Sequence, residues 1–337
     1  MEFIFEYGLF FFKTITFIIA IAVIIGLITK SSSKSDRKGS LKITNLSEEY
    51  KKQSEEFKDS LLSKEELKAK NKANKNKVIS VPIKENRVYK INFTGGLMAN
   101  EAHAMSEEIT GILSQIDVSR DKVLINLESA GGTVVGYGYA ASQISRLKKA
   151  GVKVMITVDK IAASGGYMMA CMADELYASP FSVIGSIGVV AEFPNYSELL
   201  DKVGVKFEEY TAGEYKRTIS PYRKNDEVAQ DKFKEGLEDT HSLFKEHVLE
   251  HRPQLATSDE DVFNGDHWYG KKALNLGLID ELKTSTEVIS DLIERKFDVI
   301  EVEYKKKVKF SEKLASNTTS VLFAKFENYI NNKRYSL

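Results

Sequence analysis

The chain has 337 residues, 42% of them hydrophobic, which is enough to bury a large core in one or two domains. Its 48 basic and 48 acidic side chains cancel, so it lacks the basic excess typical of nucleic-acid-binding proteins. The single cysteine excludes an intramolecular disulfide framework, and no C-x-x-C or H-E-x-x-H pattern occurs. The sequence therefore predicts no metal site, no cofactor and no nucleic-acid partner.

The N-terminus, residues 1–30, is predicted to be a membrane anchor. Residues 8–29 are almost wholly apolar, and 22 helical residues span roughly the 30 Å hydrocarbon core of a bilayer. No small-residue cleavage site follows the run, which favours an uncleaved signal anchor over a cleaved signal peptide or a buried core helix. Acidic Glu2 and Glu6 precede the span and basic residues follow it, a pattern that would place the rest of the chain in the cytoplasm.

Residues 31–84 are rich in serine, lysine, glutamate and asparagine. The stretch Glu48–Lys77 carries both charge signs and too few apolar residues for a core. Such a composition is typical of a solvated helix within a linker. We interpret this segment as a charged tether without chemistry of its own.

From Val88 onward, short apolar runs alternate with amphipathic helical patterns. The alternation predicts an α/β fold with right-handed crossovers and a mostly parallel sheet, in which functional sites lie where strands end and helices begin. The predicted strands are Val88–Phe93, Val123–Leu127, Val154–Val158 and Glu175–Ala178. The predicted helices lie near Ala102–Ile116, Val134–Ala150 and Glu227–Glu250.

The last segment, residues 301–337, reads as a basic amphipathic tail. Between Lys305 and Leu337 there are eight basic and two acidic residues, with apolar residues at helical spacing. A helix of this kind can lie on an anionic membrane surface, and it can equally pack on the protein's own body or on a neighbouring subunit.

Two glycine-rich turns follow predicted strands. The first contains Gly131 and Gly132, whose backbone N–H groups can point into one spot without an intervening side chain, as an oxyanion requires. An ordinary strand-to-helix turn explains a Gly-Gly pair equally well. The second turn carries Ser164 at the start of a small-residue helix, where the helix dipole favours negative charge near its oxygen. The alternative is that Ser164 is an N-cap.

A nucleophilic serine needs a proton acceptor. No histidine lies between His103 and His241, and Tyr167 stands where the lysine of an S-x-x-K motif would be. Lys216 lies downstream in a predicted loop. On composition alone it is one surface lysine among many.

Four separated motifs together resemble the signal peptide peptidase A family of serine peptidases, in particular its bacterial inner-membrane branch. The similarity covers roughly residues 85–285, and the motifs are the Ser164 turn, Phe181–Val190, Thr211–Thr218 and His267–Gly270. The resemblance implies a Clp/crotonase-like fold of β-β-α units, preceded by one transmembrane helix. The peptidase domain would extend over residues 85–300.

The resemblance also implies a role for each matched residue. Ser164 would be the nucleophile and Lys216 the general base of a Ser/Lys dyad. Oxyanion N–H groups would come from Gly131 or Gly132 in the first turn and from Gly165 in the second, while Ser186 would orient the lysine amine. A lysine acts as a base only where burial or a positive potential depresses its pKa, so the assembled site should be desolvated. The proline usual before the family's Gly-Gly pair is replaced here by Ala130.

The chain has one of the two halves found in double-length family members, which implies a ring-like homo-oligomer with Lys216 supplied across a subunit boundary. The implied substrates are peptides such as signal-peptide remnants or misfolded envelope proteins. The implied location is the bacterial inner membrane. The resemblance implies a periplasmic catalytic domain, whereas the charges that flank the N-terminal apolar run favour a cytoplasmic one. Two alternatives stay open: a crotonase-type acyl-CoA enzyme and a non-catalytic membrane scaffold of the same fold.

Overall fold

The computed structural model describes residue 8 and residues 11–17, 39–74, 86–257 and 260–306. Residues Leu41–Tyr304 form one compact unit, and residues 11–17, which lie outside it, are helical. Among the residues described, no helix is both long and apolar enough to cross a bilayer. Most of the predicted anchor, and the predicted tail beyond residue 306, lie outside the described residues.

Ten strands form two sheets in the described part of the chain. A seven-stranded sheet has the order β1-β10-β2-β3-β4-β6-β9, and a three-stranded sheet has the order β5-β7-β8. The strands are β1 (Ser40–Asn45), β2 (Arg87–Thr94), β3 (Lys122–Glu128), β4 (Lys153–Val158), β5 (Ile161–Ala163), β6 (Glu175–Ala178), β7 (Val183–Gly185), β8 (His267–Tyr269), β9 (Glu281–Leu282) and β10 (Asp298–Lys305).

The large sheet is parallel from β10 across to β9. In its centre, Val123 of β3 lies opposite Val154 of β4, and Ile125 lies opposite Ile156. In the small sheet β5 and β7 are parallel, while β7 and β8 are antiparallel. The prediction of an α/β fold with a mostly parallel sheet is confirmed.

The helices connect these strands. They are α1 (Leu46–Ser60), α2 (Lys64–Asn74), α3 (Ala102–Leu113), α4 (Val134–Lys149), α5 (Gly165–Ala170), α6 (Ser197–Lys202), α7 (Glu227–His251), α8 (Gly270–Asn275) and α9 (Ser285–Glu294), with a short 3₁₀ helix at Pro253–Thr257. Side chains cap the N-termini of α7 and α9. Asp226 accepts a hydrogen bond from the N–H of Ala229 at α7, and Thr284 forms a capping box with Glu287 at α9.

Alternating side chains of the central strands face two separate cores. On one face, Val88, Leu124 and Met155 pack with Val288 and Leu292 of α9. On the other face, fully buried residues of β2, β3 and β4 pack in the larger core that includes residues of α3 and α4. Burying each such side chain contributes about 1.5–3 kcal/mol, so the strand ends that carry the candidate site rest on a rigid support.

Part of the segment interpreted as a tether belongs to the sheet. Strand β1 lies at the sheet edge next to β10, and Asn45 caps α1 by accepting from the N–H of Glu48 at 3.0 Å. Ser47 is buried, and its Oγ accepts from the N–H of Val299 at 2.9 Å. Leu41 and Ile43 of β1 alternate with polar residues, but a pattern of two apolar residues within a polar stretch is too short to distinguish a strand from a linker.

Candidate active site

Ser164 directly follows β5 and has a strained backbone. Its φ is 52° and its ψ is −119°, in a region that non-glycine residues adopt at a cost of about 1–3 kcal/mol. A hydrogen bond from its N–H to the carbonyl oxygen of Gly185, at 2.8 Å, stabilises this strained conformation. Although Ser164 stands at the N-cap position of α5, its side chain makes no capping hydrogen bond. The N-cap interpretation therefore does not explain why serine is here.

Ser186 occupies the equivalent position after β7. It also has a φ of 52°, and its N–H donates to the carbonyl oxygen of Asp266 at 2.7 Å. Because β5 and β7 are parallel neighbours, with Ala163 opposite Gly185, both serines leave the same edge of the small sheet. Both line one open groove of about 840 Å³.

The first glycine turn packs backbone to backbone against the Ser164 turn. Gly131 has a φ of +92°, and a Cβ there would lie 2.8 Å from both the amide nitrogen of Gly165 and the Cβ of Ser164. A Cβ on Gly132 would lie 2.1 Å from the carbonyl oxygen of Leu97. No side chain fits at either position, which is why two glycines stand here.

Ser129 ties the two turns together. Its N–H donates to the carbonyl oxygen of Ile161 at 2.9 Å, and its own carbonyl accepts from the N–H of Ala163 at 3.0 Å. Its buried Oγ accepts from the N–H of Gly131 at 3.0 Å and contacts the hydroxyl of Tyr137. We did not identify Ser129 and Tyr137 from the sequence, since their pairing depends on how α4 packs against the turn.

These contacts separate the two glycines of the first turn. The N–H of Gly131 is engaged by Ser129 Oγ. Within the part of the chain that the structure describes, the N–H groups of Gly132 and Gly165 donate to no other group. Two backbone donors beside Ser164 thus remain available to an anionic oxygen.

Ser164 lies where the groove meets an apolar cavity of about 260 Å³. Gly132 also lines both spaces. The cavity is large enough for an apolar side chain of a bound ligand. Its apolar walls are Val134, Met168, Val189, Val190, Leu243 and Phe244.

Two histidines reach the walls of these spaces, and both hydrogen-bond backbone oxygens. His247, in the cavity, has its Nε2 2.8 Å from the carbonyl oxygen of Met168, and His241, in the groove, has its Nε2 3.1 Å from that of Ile187. Burial lowers the pKa of His247 below its ordinary value, so this ring is neutral at pH 7 and the cavity stays uncharged. Neither ring hydrogen-bonds Ser164.

Lys216 is not brought to Ser164 within one chain. It lies exposed in a turn, where its N–H donates to the carbonyl oxygen of Gly213 at 3.1 Å, and it lines neither the cavity nor the groove. Lys160 is closer to Ser164 in sequence, yet its amine is 3.0 Å from both carboxylate oxygens of Glu128. One chain thus assembles the two serines and the glycines, and leaves the predicted base outside.

The segment that carries Lys216, residues 189–225, is called the arm below. Glu209 anchors it internally, with its carboxylate 3.6 Å from Arg217 and 3.6 Å from Arg223. The arm presents ten large exposed apolar side chains, namely Val190, Phe193, Tyr196, Leu199, Val203, Val205, Phe207, Tyr210, Tyr215 and Tyr222. Such a concentration is typical of a surface that another protein covers.

Comparison with known proteins agrees with these features. Two family sequence models match the chain. The model of the Peptidase family S49 N-terminal region matches residues 2–144, and the model of Peptidase family S49 matches residues 146–298. Probable protease SohB of Haemophilus influenzae is 42% identical over 317 residues, which is 89% of each chain. Probable protease SohB of Buchnera aphidicola subsp. Schlechtendalia chinensis is 41% identical over 86% of this chain and 99% of its own.

A putative signal peptide peptidase SppA of Enterococcus faecium is 28% identical over 193 residues, 57% of this chain and 56% of its own. The resemblance predicted from four short motifs is thereby confirmed. The chain belongs to peptidase family S49 and is a serine peptidase.

Proposed function

We propose that this protein is a membrane-anchored endopeptidase in which Ser164 is the nucleophile and Lys216 the general base. The observation that carries the proposal is the state of Ser164. It is held at positive φ, caps no helix, and lies beside two unengaged amides at the mouth of an apolar cavity. Strain of this kind is characteristic of functional residues, since folding alone gains nothing from it.

The chemistry follows from these positions. Ser164 Oγ attacks the scissile carbonyl carbon while the Lys216 amine accepts its proton, and the oxyanion accepts hydrogen bonds from Gly132 and Gly165. The Lys216 ammonium then protonates the leaving amine, and the same amine later activates the water that hydrolyses the ester on Ser164. Gly131 shapes the turn instead of donating, because Ser129 engages its N–H. Ser186, at the same sheet edge, orients the lysine amine.

Lys216 reaches the site from a second copy of the chain, in a ring-like homo-oligomer. The support is twofold: Lys216 is exposed and outside both spaces that Ser164 lines, and the arm around it offers apolar side chains to a neighbour. Docking of the arm would remove the lysine from water, as a base of this type requires. We assign the compact unit to the Clp/crotonase-like arrangement of β-β-α units on the strength of the family resemblance.

The substrates are peptides with apolar side chains, such as signal-peptide remnants and other peptides derived from the membrane or envelope. The uncharged apolar cavity beside Ser164 supports this choice. The apolar N-terminus supports a single-pass location in the bacterial inner membrane. Family resemblance favours a periplasmic catalytic domain, whereas the charges flanking the N-terminal run favour the cytoplasm.

Labelling with a fluorophosphonate tests the proposal. The full-length assembled protein is treated in detergent, and the modified residue is located by mass spectrometry in wild type and in Ser164→Ala, Lys216→Ala and Lys160→Ala. We expect labelling on Ser164 that disappears without Lys216 and persists without Lys160, whose amine is already paired with Glu128. An assembled wild type that takes no label would instead support a non-catalytic scaffold or an acyl-CoA enzyme.

A further inference from the structure

A cluster of three potential metal ligands lies behind the apolar cavity. Cys171, His247 and His251 each offer one ligand atom, and these atoms all lie within 4.8 Å of one another. Cys171 directly follows α5, and the two histidines stand one turn apart on the same face of α7. The fold therefore joins two segments that are distant in sequence.

Hydrogen bonds fix which tautomer each ring adopts when it is neutral. His247 donates through Nε2 to the carbonyl oxygen of Met168 at 2.8 Å, and His251 donates through Nδ1 to the carbonyl oxygen of His247 at 2.8 Å. A carbonyl oxygen can only accept, so each neutral ring keeps its other nitrogen unprotonated. Backbone-carbonyl partners of this kind are the usual outer contacts of metal-binding histidines.

We propose that Cys171, His247 and His251 bind a borderline-soft divalent cation such as Zn²⁺. One thiolate and two imidazoles are ligands that Zn²⁺ prefers, and three protein ligands leave a fourth position for water. On binding, the Cys171 S–H bond breaks, a metal–sulfur bond forms and the proton leaves to solvent. The neighbouring Arg252 does not oppose this with a free charge, since it is paired with Asp280 at 2.5 Å.

Occupancy would affect the peptidase, an effect that rests on the proposed function. His247 lines the same apolar cavity as Ser164. A cation held by His247 adds positive charge to the wall of a cavity that is otherwise neutral and apolar. We expect Zn²⁺ to raise KM for peptides with apolar side chains.

Cobalt and zinc titrations test the site directly. Metal-free full-length protein in detergent is titrated with Co²⁺, and the charge-transfer absorption of a cobalt–thiolate bond should appear and then vanish as Zn²⁺ displaces Co²⁺. Cys171→Ser should abolish the absorption, and His251→Ala, which removes a ligand, should weaken Zn²⁺ binding by more than the roughly 10- to 100-fold that the loss of an outer contact of a ligand costs. His103→Ala, an exposed histidine outside the cluster, should bind as wild type does.

The proposal is overturned if wild type shows no cobalt–thiolate absorption, or if Cys171→Ser and His251→Ala bind Zn²⁺ as tightly as wild type. The same titration on Ser164→Ala separates this result from the peptidase proposal, because cation binding there needs no catalysis. If Zn²⁺ binds to the cluster and KM stays unchanged, the coupling to the cavity is wrong.

Discussion

Replacing Gly132 with alanine tests the backbone donor proposed in the first glycine turn. The new Cβ would lie 2.1 Å from the carbonyl oxygen of Leu97 and 2.7 Å from its carbonyl carbon. Leu97 is held in turn, because its oxygen accepts from the N–H of Thr133 at 2.9 Å. Relieving such a contact takes a backbone shift on the order of 1 Å, which carries the Gly132 N–H away from the oxyanion position.

The expected loss is about 10²- to 10³-fold in the rate at which a fluorophosphonate labels Ser164, the usual effect of removing one oxyanion donor. Overpacking of the turn should also cost about 1–3 kcal/mol in the free energy of unfolding. Both quantities are measured on the full-length assembled protein, the first by timed labelling and the second by chemical unfolding. Cooperative unfolding of the variant shows that its slow labelling does not come from unfolded protein.

Gly138→Ala is the matched control. This glycine lies in the following helix, and a Cβ there meets no atom within 4 Å. We expect unchanged labelling and a gain of roughly 0.5–1 kcal/mol in stability, because alanine is the better helix former. If Gly132→Ala folds cooperatively and labels as fast as wild type, then Gly132 is not an oxyanion donor and the assignment of the first turn is refuted.

Three further predictions follow from the same structure. Mixing Ser164→Ala with Lys216→Ala subunits before assembly should restore about a quarter of wild-type activity, since each site needs one intact half from each of two chains, and no recovery would place both residues in one chain. Val134→Trp, at a wall of the cavity outside the arm, should narrow the apolar cavity and raise KM for apolar peptides, while a KM equal to that of wild type would exclude the cavity as the side-chain site. Burial raises the pKa of Glu108 from about 4.5 to about 7, so its contribution to stability is present below pH 4.5 and is lost as pH rises to 7. Between pH 5 and pH 8 this loss amounts to up to ~3 kcal/mol in the free energy of unfolding, and Glu108→Gln should remove it in chemical unfolding measurements. If the free energy of unfolding of variant and wild type changed with pH in parallel, the assignment to Glu108 would be contradicted.

The central sheet could be predicted because its strands are buried on both faces. The predicted run Val123–Leu127 lies within β3 (Lys122–Glu128), since a doubly covered strand is apolar at nearly every position. Strands β5 and β7 have three residues each and are too short to show a period. These short strands position Ser164 and Ser186, so the strained backbone of the site could not be read from the sequence.

Within the candidate site, predictability depended on how local the signal is. The Ser164 turn and the Gly131–Gly132 turn each lie in one continuous segment, so residue type and spacing were sufficient to single them out. Ser129 and Tyr137 meet only when α4 packs on the turn, and Cys171 meets α7 across a large sequence separation. The role proposed for Lys216 rests on family resemblance alone, because an exposed lysine carries no chemical signature.

The bond network of Ser129 divides the proposed catalytic machinery into two separable parts. The part that binds the electrophile is rigid and complete in a single chain, because one buried serine joins both glycine turns. The part that moves protons is, in our proposal, completed by assembly. A dissociated chain would therefore retain its preorganised oxyanion site but, like Lys216→Ala, take no fluorophosphonate label, and peptide hydrolysis would rise and fall with the concentration of assembled protein.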